Sequence, residues 1–368
     1  MKVLQVLPSL QSGGVERGTL ELAQYLVSQG HESWVMSAGG SMVQQLEQEG
    51  SHHIVWDLGK KSPLTFLQVA KVRAWLREQS FDVIHLRSRM PAWVVYLAWK
   101  RLPEASRPKL VSTVHGLYSV SAYSKIMCVG DRVIAVSQAA KAYIADNYPS
   151  IDLAKVRTIP RGIDPADYYD RYKPSADWYE SWQREYPELV GKTIITLPGR
   201  LTRLKGHMDF LAILVELQRQ GFEKVHGLVV GGIDPKRKAY YEALQQAVLD
   251  LGLKDNITFT GARSDLRDIM AASDACVSLS TQPESFGRTV LEALALGRPV
   301  VAYDHGGVSE IMETLFPEGL VPLGDQAAAV NALTRVLASD LQPKTEHPFT
   351  QHAMLSATLD VYKELCHD

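Results

Sequence analysis

Short apolar or β-branched runs alternate with longer segments of helical periodicity along the chain, and the alternation occurs in two series. Such runs between amphipathic stretches predict parallel strands joined by crossover helices. In the first series the strand candidates are Val3 to Leu7, Ser33 to Ser37, His53 to Leu58, Val83 to Leu86, Leu110 to His115 and Arg132 to Val136. In the second they are Thr193 to Leu197, Gly227 to Val230, Ile257 to Thr260, Cys276 to Leu279 and Val300 to Tyr303. From Pro63 to Glu78, Leu64, Leu67, Val72, Trp75 and Leu76 fall mostly on one side of a helical wheel, which predicts an amphipathic helix. Between the series, Pro160-Arg161-Gly162-Ile163-Asp164-Pro165 and the aromatic, charged stretch from Tyr168 to Tyr186 read as hinge and linker.

The pattern predicts an α/β protein of two Rossmann-like, doubly wound parallel-sheet domains facing each other across a cleft. Their ranges are 1–165 and 166–349, with a last helix over 350–366 that can pack back on the first. A length of 368 residues agrees with about two cores. Hydrophobic residues make up 46% and charged residues 22%, so composition excludes a disordered chain. The longest apolar run, Ala92 to Trp99, is far short of the ~20 residues that span a bilayer. The opening MKVLQVLPSL reads as a buried strand and not as a secretory signal, which points to the cytoplasm. Cys128, Cys276 and Cys366 lie far apart with no C-x-x-C pair, as in a reducing compartment.

The net charge of −2 conceals an asymmetry: residues 1–165 carry 19 basic against 13 acidic side chains, or +6, leaving −8 for the rest. A basic first half favours an anionic partner. Lys60, Lys61, Arg73, Arg87, Arg89, Lys100 and Arg101, near Trp75, Trp93 and Trp99, would let it rest on an anionic membrane surface.

Doubly wound sheets bind ligands beyond the carboxyl ends of their strands, so the turns there should carry the chemistry. The first runs Leu10-Gln11-Ser12-Gly13-Gly14-Val15-Glu16-Arg17: paired glycines admit close approach, and a helix start offers free N–H groups to a phosphate or sugar oxygen. A plain glycine turn would look the same. After Thr193 to Leu197, the turn from Pro198 to His207 gathers Arg200, Arg203 and Lys205 before a helix, where each cation typically costs about 0.3–1 kcal/mol. A diphosphate held by the Arg200 fork and the Lys205 ammonium would relieve that, although solvated surface cations are the plainer alternative.

The densest signal is Glu284-Ser285-Phe286-Gly287-Arg288-Thr289-Val290-Leu291-Glu292. Glu284 falls in a strand-to-helix turn and Glu292 about two turns into the helix, at most ~12 Å away at the helical rise. One carboxylate would suit sugar hydroxyls and the other a ribose diol, with the amides of Phe286 and Gly287 toward the phosphates between them. His115 ends a strand and would donate a hydrogen bond to a sugar. Asp304-His305-Gly306-Gly307-Val308-Ser309-Glu310 is a ligand contact or a tight turn. No Asp-x-Asp pair, no G-x-x-x-x-G-K-[ST] loop and no clustered His/Cys set is present, so neither metal nor cofactor is expected.

Together these segments resemble the family 4 retaining glycosyltransferases: the E-x7-E run Glu284 to Glu292 with EALALGRPVVA, the PGRLTRLKG turn, GGVERGTLELAQYL and HGGVSE, over about residues 3–335. STVHGLYSV and TIPRGID look most like the bacterial lipopolysaccharide-core branch. The resemblance implies a GT-B fold, with donor held mainly by the second domain and acceptor by the first. It makes Arg200 and Lys205 the diphosphate pair, Glu292 the ribose glutamate and Glu284 the donor-sugar glutamate. Gly14 becomes the amide near the diphosphate and His115 the contact to the sugar O6, with Gly13, Glu16, Ser285, Phe286 and Gly287 around the donor. It further implies retention of anomeric configuration without a protein nucleophile. Arg161 departs from the Asn of many relatives, and Arg87-Ser88-Arg89 lies where relatives vary, so acceptor choice stays open.

The expected function is hexosyl transfer from a nucleotide diphosphate sugar, UDP in preference to GDP, to a growing cell-surface glycan such as a lipopolysaccharide core. The rivals are a sugar-phosphate or sucrose-type synthase with a small acceptor and a non-catalytic subunit that binds sugar nucleotides. Nucleic acid is not an expected partner.

Overall fold

The computed structural model describes residues 1–11, 13–233 and 238–367; Ser12 of the first glycine turn lies outside the described residues. The chain divides into two compact units, Met1–Pro160 with the chain from His352 onward, and Arg161–Gln351.

The first unit holds a seven-stranded sheet of β1 (Lys2–Val6), β2 (Glu32–Ser37), β3 (His52–Val55), β4 (Val83–Leu86), β5 (Lys109–Val114), β6 (Arg132–Ala135) and β7 (Val156–Thr158). All pairings are parallel, in the order β3-β2-β1-β4-β5-β6-β7. Parallel strands are covered on both faces, and all four residues of β4 are accordingly buried. Helix Gly14–Ser28 packs Leu22 and Leu26 on Val3, Val83, Val111 and Ile134. The last helix, Gln351–His367, adds Leu355, Leu359 and Leu365 to the same cluster. Each of those leucines contributes on the order of 2 kcal/mol before entropy is counted.

The second unit repeats the plan with six strands: β8 (Thr193–Pro198), β9 (Val225–Val230), β10 (Ile257–Gly261), β11 (Ala275–Ser278), β12 (Val300–Tyr303) and β13 (Leu320–Val321). These too are parallel, in the order β10-β9-β8-β11-β12-β13. In each sheet the order reverses beside the first strand, between β1 and β4 and between β8 and β11. Those are the topological switch points where doubly wound folds bind ligands.

Several expectations are corrected. The segment from Pro63 is not one helix: a 3-10 turn, Pro63–Gln68, opens on Pro63 with Ser62 Oγ accepting from the Leu64 amide, and an α-helix, Val69–Gln79, follows. The change of period throws Leu64 and Leu67 outward, 72% and 73% exposed, while Val72 and Leu76 stay buried. Nor is Tyr168 to Tyr186 all linker, since Ala176–Glu185 is a helix. Trp178, Trp182 and Tyr186 recur at four-residue intervals on one face of it and pack with Ile194, Leu228 and Ile269. Arg263 clamps this helix by forking onto Asp265 at 2.9 Å and bonding Glu185 at 2.7 Å, while Trp178 Nε1 donates to Asp265. Arg87, assigned above to a basic surface, is buried, with its guanidinium donating to Gln5 Oε1 at 3.1 Å. Burial lowers its pKa to about 10. The edge strands β7 and β13, three and two residues long, escape a reading that needs longer runs.

Candidate active site

In the second unit the adjacent strands β8, β11 and β12 end side by side, and backbone contacts stitch their turns together. After β8 the chain passes Gly199 to Gly206 and enters helix His207–Arg219. Gly206 has φ +71°, and a Cβ there would lie 2.0 Å from the Leu279 carbonyl oxygen at the end of β11. The Thr281 amide donates to Leu204 O, which fixes the β11 turn against the β8 turn. After β12, a Cβ on Gly307 would stand 2.6 Å from both Phe286 Cα and Ser285 O, while its amide donates to Glu284 O at 2.7 Å. The HGGVSE glycines therefore act by letting this turn lie flat on the Glu284–Phe286 backbone.

That stitching brings Lys205 and Glu284 together across the β8/β11 switch point, with Nζ to Oε1 at 2.8 Å. Ser280 Oγ donates to the same carboxylate oxygen at 2.5 Å. Burial pushes the Glu284 carboxyl up, but the Lys205 charge and the hydrogen bonds from Lys205 and Ser280 outweigh it and hold the group below the ordinary value. Both partners keep some exposure, 29% and 25% of their side chains, so the pair is ordered yet reachable.

Glu292 lies barely more than one turn into its helix, not two, because helix Arg288–Ala295 begins only after Gly287, which caps it at φ +98°. The residues before it are occupied with the Gly306–Gly307 turn. Glu292 is 5% exposed and accepts from Arg288 Nε at 2.9 Å. Neither glutamate is thus an exposed helix-surface side chain. Phe286 is buried, with its ring 5.9 Å from that of Phe349, and Ser285 is half-buried.

The cations of the β8 turn divide by role. Arg203 stacks over Tyr240 at 5.3 Å, Lys205 pairs with Glu284, and Arg200 is exposed with no hydrogen bond or ion pair among the described residues. Ser280 and Arg288 escaped the sequence reading. Each stands four residues before the glutamate it holds, the spacing at which a helix or tight turn brings side chains together.

In the first unit, Gly13 (φ +141°) caps helix Gly14–Ser28 and both glycines are exposed. A Cβ on Gly14 would meet nothing within 4 Å, so the backbone is open to approach there. A Cβ on Gly13 would lie 2.5 Å from Glu16 Oε2, so this carboxylate folds back to the helix start. It fills the place where such a terminus favours negative charge. His115 follows β5 and is half-buried. Nearby, Arg89 lies over the Tyr118 ring at 4.4 Å and donates to Ser124 Oγ.

Two family descriptions cover most of this chain: Glycosyltransferase Family 4 over residues 12–167 and Glycosyl transferases group 1 over residues 179–354. A glycosyltransferase from Rickettsia africae ESF-5 is 31% identical and superposes with a TM-score of 0.84 over 99% of this chain and 98% of that one. The chain belongs to the family 4 glycosyltransferases. Its two Rossmann-like domains have the GT-B fold of that family. Anabaena HepE, solved with UDP and glucose, is 24% identical with a TM-score of 0.76, covering 99% of this chain and all of that one. The lipopolysaccharide outer core galactosyltransferase WaaB is 16% identical with a TM-score of 0.67, covering 100% of this chain and 97% of that one. At those identities the likeness is one of fold.

Proposed function

We propose that this family 4 glycosyltransferase moves a hexosyl group from a UDP-sugar to a growing cell-surface glycan, with a lipopolysaccharide core as the favoured acceptor. The observation that carries the donor side is the Lys205–Glu284 pair at the β8/β11 switch point, an ammonium and a carboxylate held together at 2.8 Å. Lys205, with Arg200 at the start of the same turn, would take the diphosphate charge as it develops, which is the electrostatic part of the chemistry. Glu284 would accept from sugar hydroxyls, and Glu292 from the ribose diol. Ser285, Phe286 and Gly287 would offer amides to the phosphates, and Gly13, Gly14, Glu16 and His115 would serve from the first domain.

In the reaction the acceptor hydroxyl oxygen bonds to the anomeric carbon as the bond to the diphosphate oxygen breaks, and the hydroxyl proton passes to a phosphate oxygen. Attack on the face the leaving group vacates retains configuration. The side-chain cations supply the charge stabilisation, so no metal is required. The UDP preference is supported by the UDP held in Anabaena HepE, and the lipopolysaccharide acceptor by the fold likeness to WaaB.

Among the described residues no helix is long and apolar enough to cross a membrane. Peripheral contact with an anionic leaflet, on the cytoplasmic face, belongs to the same proposal. Its support is the 3-10 turn Pro63–Gln68, where exposed Leu64, Phe66 and Leu67 adjoin Lys60 and Lys61.

The deciding experiment is a thermal-shift screen of UDP- and GDP-sugars, followed by product analysis by NMR in EDTA. The reading expects stabilisation by a UDP-sugar and an axial product from an axial donor. Preference for a GDP-sugar, an inverted product or activity lost in EDTA would each overturn its part. Efficient transfer to fructose 6-phosphate would favour a sucrose-type synthase, and binding without turnover a non-catalytic subunit.

A further inference from the structure

The carboxyl ends of the strands are not the only indented edge of the first sheet. At the opposite edge, where the parallel strands β4 and β5 begin, the segments feeding them leave a cavity of about 580 Å³. Typical small-molecule sites span roughly 300–1,000 Å³. Its apolar lining includes the exposed Pro103 and Ala105 alongside the buried Leu76 and Phe81. Its polar lining includes Arg77, Ser80, Asp82, Arg107, Lys109 and Cys366.

Charge in this cavity is unbalanced in one direction. The Asp82 carboxylate is committed to the sheet edge, accepting from the Lys2 backbone amide at 2.6 Å. Arg107 is held in place by stacking over Trp99 at 4.8 Å and by donating to Leu102 O at 2.9 Å, yet its buried Nε has no partner. Arg77 and Lys109 have no ion-pair partner among the described residues. Three cations against one carboxylate leave an excess of two positive charges, which a dianion matches. The wall also carries backbone strain. Ser80 ends helix Val69–Gln79 at φ +50°, a left-handed conformation that costs a residue with a Cβ about 1–2 kcal/mol.

We propose that this cavity is a second ligand site, for a small organic phosphate dianion whose phosphate meets Arg77, Arg107 and Lys109 while its less polar body rests on Pro103 and Ala105. Planar guanidinium forks and a lysine ammonium together suit a tetrahedral phosphate. The site lies at the amino ends of the strands and shares no residue with the donor reading, so the two stand or fall separately. The phosphate could belong to a free metabolite or to a lipid headgroup.

Cys366 makes the test direct, because it lines the cavity and is exposed while Cys128 and Cys276 are buried. Its alkylation by neutral iodoacetamide is timed with glucose 6-phosphate, with monomeric short-chain phosphatidic acid, and with potassium chloride at matched ionic strength. A ligand at four times its Kd should slow labelling about fivefold by simple occupancy. Arg77→Ala, at an exposed position that leaves the fold intact, should raise the concentration needed at least several-fold, and Lys109→Ala likewise. Protection by glucose 6-phosphate assigns a soluble ligand, and protection by phosphatidic acid alone a headgroup. No protection beyond that of the salt control, or protection unchanged in both variants, overturns the site.

Discussion

Each domain carries a network of bonded polar side chains, and the two networks occupy different places in the same architecture. In the first, Gln5, His85, Arg87 and Thr113 lie beneath the helices on one face of the sheet. Gln5 ties Thr19 O to the Arg87 guanidinium, and His85 bridges Tyr362 and Thr113 at 2.6 Å each. In the second, Lys205 and Ser280 hold Glu284 beyond the strand ends, and Arg288 holds Glu292 in the helix that follows. The turn at Gly13 and Gly14, by contrast, is open apart from the carboxylate of Glu16. Polar groups under a helix specify how layers dock. Polar groups at strand ends hold a site in shape before its ligand arrives, which is where preorganisation has catalytic value.

Replacing the lysine at the switch point should separate those roles most sharply. Lys205→Ala should cut kcat by on the order of 10² or more, the scale for one preorganised electrostatic contact. The fold should barely register it, because a partly exposed ion pair contributes within about 1 kcal/mol. Steady-state rates beside urea midpoints decide. A variant that turned over normally but unfolded early would reverse the assignment and make the pair structural.

Acid should probe the second domain next. Burial drives both His207 and His226 down to about 4, so they are neutral in the native state. Their unfolded values lie near 6.5, so between pH 6.5 and 4 the unfolded chain binds more protons and stability falls with pH. At full effect each costs on the order of 3 kcal/mol. Below that window Glu284 and Asp265, whose carboxyls are held low, add their own loss as they protonate. Urea midpoints measured from pH 7 to 4 should therefore fall, and His226→Gln should flatten the slope. A profile untouched by that substitution would show the ring is solvated in solution.

The reach of sequence reasoning also differs between the domains. Strand β4 was legible to the residue, as was β12, because each is an apolar run bounded by breakers. Glu284, Glu292 and Lys205 were legible as candidates because chain order puts them at strand ends. What chain order does not carry is contact between turns after different strands. Ser280 as a donor to Glu284 and Gly307 as the seat of the Phe286 backbone depend on the strand order β8-β11-β12, which only the sheet reveals. The helix Ala176–Glu185 in the linker region was missed for another reason: a stripe of Trp178, Trp182 and Tyr186 was read as composition and not as period.

Gly307→Ala tests that seat. Its added methyl would have to displace Phe286 or Ser285 from 2.6 Å, an overpacking cost of about 1–3 kcal/mol. On the donor reading most of that loss should appear as weaker UDP-sugar binding, since the displaced backbone carries the amides proposed for the phosphates. Titration by calorimetry beside a melting curve would measure both. Lost stability with unchanged affinity would mean that this turn supports the fold and not the site.

The smallest effect should come from the first domain's network. Tyr362 is inaccessible, and its hydroxyl meets His85 Nδ1 at 2.6 Å, joining the last helix to β4. Tyr362→Phe keeps the ring, and with it the packing in the cluster of Leu22, Val83 and Leu359, while deleting one buried hydrogen bond. Leaving a buried polar atom one partner short costs about 1–2 kcal/mol. That loss should lower the urea midpoint of the first domain and leave UDP-sugar affinity unchanged, because no residue of this network belongs to the proposed donor site. A fall in donor affinity would mean that the buried polar groups beneath the helices and those at the strand ends are coupled, and the division of labour between the two domains would then have to be abandoned.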